Sequence, residues 1–252
     1  MANYMKYFIG NWKMFGVPKS ISIVNKINKF VKSDKKFNKK YKIVITPPNT
    51  LLESYAKFFS NQKISIGAQN CYHKDNYGAN TGSVSSLMIK SVGARYVIVG
   101  HSDNRSEGDT DIMLKCKVKN SLDNKLKVVF CIGENKQDKQ KNRTFKVLKK
   151  QIENVLENRF NHSDIVVAYE PIWSIGTGKI PTNKDLLKTT VFIKKTLTKI
   201  FKTNSPAVLY GGSVDENNVH LFKQIKEIDG FLIGGASKSN KKFIDIIRNY
   251  YK

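Results

Sequence analysis

The sequence predicts an α/β fold of the (β/α)8 class, with eight parallel strands closed into a barrel inside an outer ring of helices. Three observations predict it. Eight short apolar runs recur along the 252 residues, and within each the apolar positions are consecutive rather than alternating, the mark of strands buried on both faces. Polar stretches with helical spacing lie between the runs. The length suits eight strand–helix units in one barrel. An open, doubly wound sheet shares the alternation and is the structural rival.

The runs fall at residues 7–10, 43–45, 64–68, 96–99, 128–132, 165–169, 207–210 and 231–233. Between them, Ile21, Val24, Ile27 and Val31 repeat at three and four residues. So do Phe145, Leu148, Ile152, Val155 and Leu156, and then Leu187, Val191, Leu197 and Ile200. Each stripe has an opposite face of mainly Lys and Asn, as a helix between core and solvent requires. Pro18 and the pair Pro181-Thr182 stand at expected helix starts, because proline fits the first helical turn. No linker or low-complexity tract divides the chain, so residues 1–252 read as one barrel domain.

The chain carries 44 Lys and Arg against 20 Asp and Glu, a formal charge of +24. Only five of these are Arg (Arg95, Arg105, Arg143, Arg159 and Arg248). Base-reading surfaces lean on the arginine fork, and no basic run is interleaved with stacking aromatics. Lys35-Lys36, Lys39-Lys40, Lys149-Lys150 and Lys241-Lys242 fall where a barrel has its solvated outer ring. The expectation is therefore no nucleic-acid partner. Cys71, Cys116 and Cys131 form an odd set without paired spacing, which points to a reducing compartment and away from disulfides or zinc. The N-terminal residues lack a signal-peptide core, and no stretch approaches the length of a membrane span. The expected setting is the cytoplasm, with no membrane partner.

In a barrel of this class the chemistry sits at the C-terminal ends of the strands. There the sequence places Asn11-Trp12-Lys13 after the first run, His101-Ser102 after the fourth and Glu170-Pro171 after the sixth. Gly211-Gly212-Ser213 follows the seventh and Gly234-Gly235 the eighth. A base, a cation and a group titrating near neutrality thus share one rim with two glycine turns. Taken singly, each has an ordinary structural reading as a strand end, a turn histidine, a helix cap or a tight turn; five strand ends converging is what singles them out. Glycine lets backbone N–H groups approach an oxyanion closely, and a following helix N-terminus favours phosphate. The stretch Pro171-Ile172-Trp173-Ser174-Ile175-Gly176-Thr177-Gly178-Lys179 has the make-up of a mobile lid, with an apolar centre that closes over a ligand.

These residues resemble the triosephosphate isomerase family. The matching motifs are Asn11-Trp12-Lys13, Ala68-Gln69-Asn70, Thr81-Gly82, Gly100-His101-Ser102 and Cys131-Ile132-Gly133-Glu134, followed by Tyr169-Glu170-Pro171-Ile172-Trp173 through Gly176-Thr177-Gly178-Lys179, Tyr210-Gly211-Gly212-Ser213-Val214, and Asp229-Gly230 through Gly234-Gly235-Ala236-Ser237. They stand in family order across residues 7–237. The resemblance implies a TIM barrel that interconverts dihydroxyacetone phosphate and glyceraldehyde 3-phosphate through an enediolate, in glycolysis and gluconeogenesis, as a homodimer and without a metal or organic cofactor. It implies Glu170 as base, a neutral His101 as electrophile, Lys13 as the cation facing the enediolate, and Asn11 as a substrate-placing group. Gly176, Ser213, Gly234 and Gly235 would hold the phosphate through N–H groups, with Ser102 and Asp103 in support.

Two departures stand out. The family usually reads Gly-His-Ser-Glu-Arg-Arg, whereas this chain has Gly100-His101-Ser102-Asp103-Asn104-Arg105, and its loop to Gly108 is one residue shorter. Asp103 reaches less far than Glu by roughly 1.5 Å, so either Lys13 shifts or the loop moves inward. The family's Thr-Gly-Glu is here Thr81-Gly82-Ser83. In the family that Glu pairs across the dimer with the Arg now replaced by Asn104. Losing both members avoids stranding one buried charge, so residues 71–84 are expected to form a dimer loop with a neutral contact. The rival readings are another phosphate-binding barrel enzyme and a basic nucleic-acid-binding protein. The charge of +24 would attract a phosphate dianion, in which case kcat/KM falls with salt while kcat holds.

Overall fold

The structure, a computed structural model, describes residues 5–36, 40–74 and 76–252. Its strands are β1 (Lys6–Asn11), β2 (Tyr41–Thr46), β3 (Ile64–Ala68), β4 (Tyr96–Val99), β5 (Lys127–Ile132), β6 (Ile165–Tyr169), β7 (Ala207–Tyr210) and β8 (Gly230–Ile233). They form a closed barrel in sequence order. Closure is the parallel pairing of β1 with β8, from Tyr7 opposite Gly230 to Gly10 opposite Ile233, which removes the open-sheet alternative.

The helices are α1 (Ile21–Ser33), α2 (Asn49–Phe58), α3 (Ser86–Ser91), α4 (Ser102–Ser106), α5 (Asp111–Asp123), α6 (Lys136–Gln140), α7 (Thr144–Val155), α8 (Asn183–Phe201) and α9 (Asn240–Tyr251). The connection from β7 to β8 carries a 3-10 segment, Val219–Gln224, in place of the α-helix that an eight-unit reading expects. Pro18 opens a 3-10 turn leading into α1, and the Thr182 side chain caps α8 by accepting from the Asp185 N–H.

Strand alternation splits the core into two layers. Phe8, Val128, Phe130 and Val167 face outward to the helices, while Ile9, Val129, Cys131, Val166, Ala168, Leu209 and Leu232 fill the barrel interior. Alternation also continues past the strands. The inward set of β6, Val166 and Ala168, leads two residues on to Glu170, and Ile9 of β1 leads to Asn11. The period of two along a strand thus aims these polar side chains into the mouth of the barrel.

Two helix stripes need correction. In α7, Leu148, Ile152 and Val155 are buried as the spacing predicts, but Phe145 is 43% exposed and stacks on Phe192 of α8 at 4.5 Å. In α8 the buried set is Leu186, Thr189, Thr190, Ile193, Thr196, Leu197 and Phe201, and Leu187 is 39% exposed. The threonines can be buried because each hydroxyl donates to the carbonyl four residues earlier, on Asp185, Leu186 and Phe192, leaving mainly methyl surface to pack. Reading apolar letters alone misses such positions.

Lys35-Lys36, Lys149-Lys150 and Lys241-Lys242 are exposed; Lys39 lies outside the described residues, as do Met1 to Tyr4 and Asp75 of the 71–84 loop. Among the described residues no helix is long and apolar enough to cross a membrane.

Candidate active site

A cavity of about 410 Å3 opens at the C-terminal ends of the strands. Asn11, Lys13, His101 and Glu170 line it together with Gly176, Ser213, Gly234 and Gly235. The expected catalytic and phosphate-facing residues therefore share one concavity. Asp103 lines an adjoining recess with Lys13 and His101. Of the lid stretch, Ile175, Gly176 and Gly178 face the cavity. Thr81 and Gly82 are exposed and line neither space.

Glu170 follows β6 and is only 4% exposed. Gly211, at the end of β7, lets it in: a Cβ there would stand 2.7 Å from the Glu170 Cγ. Burial pushes the Glu170 carboxyl above the usual range, opposed by the nearby His101, the Cys131 thiol and Lys13. Its Oε1 lies 3.4 Å from His101 Nε2, and its buried Oε2 has no hydrogen-bond partner among the described residues. A buried, unsatisfied carboxylate oxygen is costly.

His101 is reached through Gly100, whose φ of +77° is a left-handed turn that favours glycine. The ring caps α4, its Nδ1 accepting from the Asp103 N–H at 3.1 Å. An accepting Nδ1 carries no proton, so the ring N–H is on Nε2, the atom turned toward Glu170 and the cavity.

Lys13 has φ of +53°, which is rare outside glycine. The strained turn is held from both sides: its N–H donates to Asn11 Oδ1 at 3.0 Å, and its carbonyl accepts from Gln69 Nε2 at 2.8 Å. Gln69 also donates to the Thr46 carbonyl at 2.8 Å. Trp12 between them is buried and donates to the Ser237 carbonyl at 3.0 Å. Strain over-determined in this way clusters at functional sites. The Lys13 ammonium stands 3.2 Å from Asp103 Oδ2, so the shorter acid keeps its contact with the lysine.

The lid stretch is tied down at both ends. Trp173 donates to Glu134 Oε1 at 2.8 Å, and the Tyr169 hydroxyl donates to the same carboxylate at 3.2 Å. Burial raises the Glu134 carboxyl, while the Trp173 donor opposes the rise. On the other side, Ser174 Oγ lies 3.0 Å from the Tyr210 hydroxyl, Ser213 Oγ donates to the Ser174 carbonyl at 2.6 Å, and the Gly178 N–H donates to Ser213 Oγ at 3.2 Å. The lid thus rests on the β7 loop, with Ile175 over the cavity. After β8, Gly234 leads only into a four-residue 3-10 turn, Gly235–Lys238. What this loop offers an anion is individual N–H groups rather than the dipole of a long helix.

Sequence reading gave no role to Glu134, Cys131, Gln69, Glu216 or Lys242. The first three stand inside quoted motifs, but nothing in their spacing shows that they brace the lid, the base or the strained turn. Glu216 and Lys242 line the cavity with Ser213, Gly234 and Gly235 and approach each other at 3.5 Å. Lys242 lies in the first turn of α9, which contains no acidic residue, although the helix dipole disfavours a cation there.

The profile of the triosephosphate isomerase family matches residues 6–250. A triosephosphate isomerase from Thermodesulfovibrio yellowstonii is 36% identical over 246 residues, covering 96% of this chain and 98% of its own. One from Wolbachia pipientis wMel is 36% identical, covering 97% and 93%. A crystal structure of the Bartonella henselae triosephosphate isomerase superposes with a TM-score of 0.89 at 30% identity, covering 98% of this chain and 99% of that one.

Proposed function

Because the chain belongs to the triosephosphate isomerase family, a family of intramolecular aldose–ketose isomerases, we propose that Glu170, His101 and Lys13 carry the interconversion of dihydroxyacetone phosphate and glyceraldehyde 3-phosphate here. The observation that carries this reading is the buried Glu170 carboxylate, with Oε1 3.4 Å from His101 Nε2 and Oε2 without a partner among the described residues. That oxygen takes the proton from the carbon next to the carbonyl and returns it to the neighbouring carbon. The raised carboxyl suits a group that must hold the proton briefly and give it up again.

His101 donates its Nε2–H to the carbonyl oxygen as negative charge grows there, and passes protons between the two oxygens of the enediolate. The Lys13 ammonium supplies a fixed positive charge to the same oxygens, and Asn11 orients them. N–H groups of Gly176, Ser213, Gly234 and Gly235 hold the phosphate. Ser102 and Asp103 support the His101 and Lys13 side of the site. The Ile175 centre of the lid excludes water, which limits loss of phosphate from the enediolate. The reaction moves a proton within one substrate and calls for no cofactor.

The same reading makes residues 1–252 one catalytic domain acting in the cytoplasm on a small phosphorylated triose, with no nucleic-acid or membrane partner. It also makes the chain a homodimer, in which the 71–84 loop carries Thr81 and Gly82 into a partner and Ser83 and Asn104 replace an ion pair. Tyr77, 78% exposed on that loop, supports this. A stable monomer at micromolar concentration in sedimentation would refute the dimer. For the catalytic assignment, a coupled assay with glyceraldehyde 3-phosphate in chelator should show turnover. Glu170→Gln should lower kcat by about 10³-fold or more, within the range for a general base; retained turnover would remove Glu170 from the role.

A further inference from the structure

A second cavity, of about 830 Å3, lies at the N-terminal end of the barrel, opposite the catalytic mouth. Its walls come from the turns that enter β2 to β6. Lys63 and Arg95 immediately precede β3 and β4, and Lys127 is the first residue of β5. Neighbouring strands lie about 4.8 Å apart, so these entries form a row of basic residues across three adjacent strands.

The row is not balanced. Lys127 pairs with Asp164 and Arg159 with Glu157. Among the described residues, Lys42, Lys63, Lys90, Arg95 and Lys125 have no carboxylate within ion-pair distance, although all five line the cavity. Two of them are set in place by backbone: Arg95 Nη2 donates to the Ser60 carbonyl at 3.1 Å, and Lys90 Nζ to the Lys125 carbonyl at 3.0 Å. Carbonyl contacts orient these cations without neutralising them.

The other half of the same barrel end is built differently. There Lys194 pairs with Asp229 at 2.7 Å, Lys6 donates to the Ile228 carbonyl, and Asp229 and Glu227 both act on Lys6. On the β2–β6 side of this end the cations thus gather in one concavity without carboxylate partners, whereas Lys194 and Lys6 on the other side have acids beside them. Cations gathered in a concavity repel one another and focus the field on an anion. A row of them suits several linked negative charges better than one. The volume is within the usual range for small-molecule sites.

We infer that the N-terminal cavity between the β2 and β6 entries binds a linear oligophosphate of three or more phosphoryl groups, independently of the catalytic cavity. Both inorganic polyphosphate and the triphosphate of a nucleotide present this chemistry. Arg95 supplies the planar fork suited to phosphate, and the lysines supply point charges along the chain.

Calorimetric titration of the full-length wild-type chain with inorganic tripolyphosphate, at low and moderate salt, tests this. Saturable binding with one ligand per chain is expected, weakening as salt rises. The combined variant Lys42→Gln, Lys63→Gln, Lys125→Gln should bind at least about tenfold more weakly, because it removes charges that focus on the ligand. A control with the same charge loss on α7, Lys146→Gln, Lys149→Gln, Lys150→Gln, should bind like wild type. Isomerase activity, unchanged in both, reports that each is folded. A nucleoside triphosphate binding as tightly as tripolyphosphate supports recognition of the phosphate chain alone, and tighter binding identifies the nucleotide as the source. Equal weakening in the two variants, orthophosphate binding as tightly as tripolyphosphate, competition by a triose-phosphate analogue, or preference for a short single-stranded RNA would each overturn the inference.

Discussion

The two ends of the barrel use charge in opposite ways. At the C-terminal end two cations, Lys13 and Lys242, and three carboxylates, Glu170, Asp215 and Glu216, line the cavity. At the N-terminal end, seven Lys or Arg and two Asp line a space twice as large. In the first arrangement Asn11 and Gln69 hold the Lys13 backbone, and the Asp103 N–H holds the His101 ring. The formal charge of +24 is therefore a poor guide to where catalysis happens. Long-range attraction of substrate, expected from composition, must work through a nearly balanced mouth.

The most severe way to probe the contrast is to remove one positioned group. Glu170→Gln should abolish most turnover yet stabilise the fold at neutral pH. Its folded carboxyl is raised above the unfolded value. The stability this group contributes is full below the unfolded range and is lost as pH rises through the folded one. Substitution should raise Tm at pH 7 by about 2–4 °C, roughly 1 kcal/mol for a chain of this size, with the gain disappearing toward pH 4. A lower Tm at pH 7 would contradict the buried-charge account.

Removing the lid centre, Ile175 to Thr177, should lower kcat by roughly 10²-fold and raise the share of methylglyoxal among products, since an opened site exposes the enediolate. Unchanged product partition would show that the lid does not shield. A gentler probe is Asp103→Glu, which restores the longer acid beside Lys13. Because the 3.2 Å contact already exists, kcat should change by less than about tenfold, or ~1.4 kcal/mol of barrier.

Lys242→Gln should act more weakly still, raising KM about threefold with kcat unchanged and flattening the salt dependence of kcat/KM, as expected for an exposed charge near the phosphate. An effect on kcat would place it among the reacting groups. At the other end, Lys42→Gln, Lys63→Gln, Lys125→Gln should leave kcat/KM within about twofold, because exposed charges beyond a Debye length are screened. A larger loss would mean that the distant cations do guide substrate.

What the sequence made legible follows from periodicity. Consecutive apolar letters marked all eight strands, and the polar residues that follow them singled out Glu170 and Asn11 at the strand ends; that both point inward came only with the structure. Contacts made far apart in sequence stayed hidden. Nothing local shows that Glu134 receives Trp173, or that Gln69 holds the Lys13 carbonyl. Leu187 was assigned to a buried stripe because leucine is apolar, whereas Thr189, Thr190 and Thr196 are buried instead by satisfying their hydroxyls within α8. The row of cations entering β3, β4 and β5 was equally invisible, since only the barrel brings residues 63, 95 and 127 side by side.

The most direct test of the assignment is steady-state kinetics of Glu170→Asp and His101→Gln in the coupled assay, with circular dichroism to follow the fold. The first shortens the base without removing it, and the second removes the Nε2 donor while keeping a polar side chain. Each should lose most isomerase activity, by about 10²-fold or more, with an unchanged spectrum. Near-wild-type kcat in either variant, with the fold intact, would contradict the account.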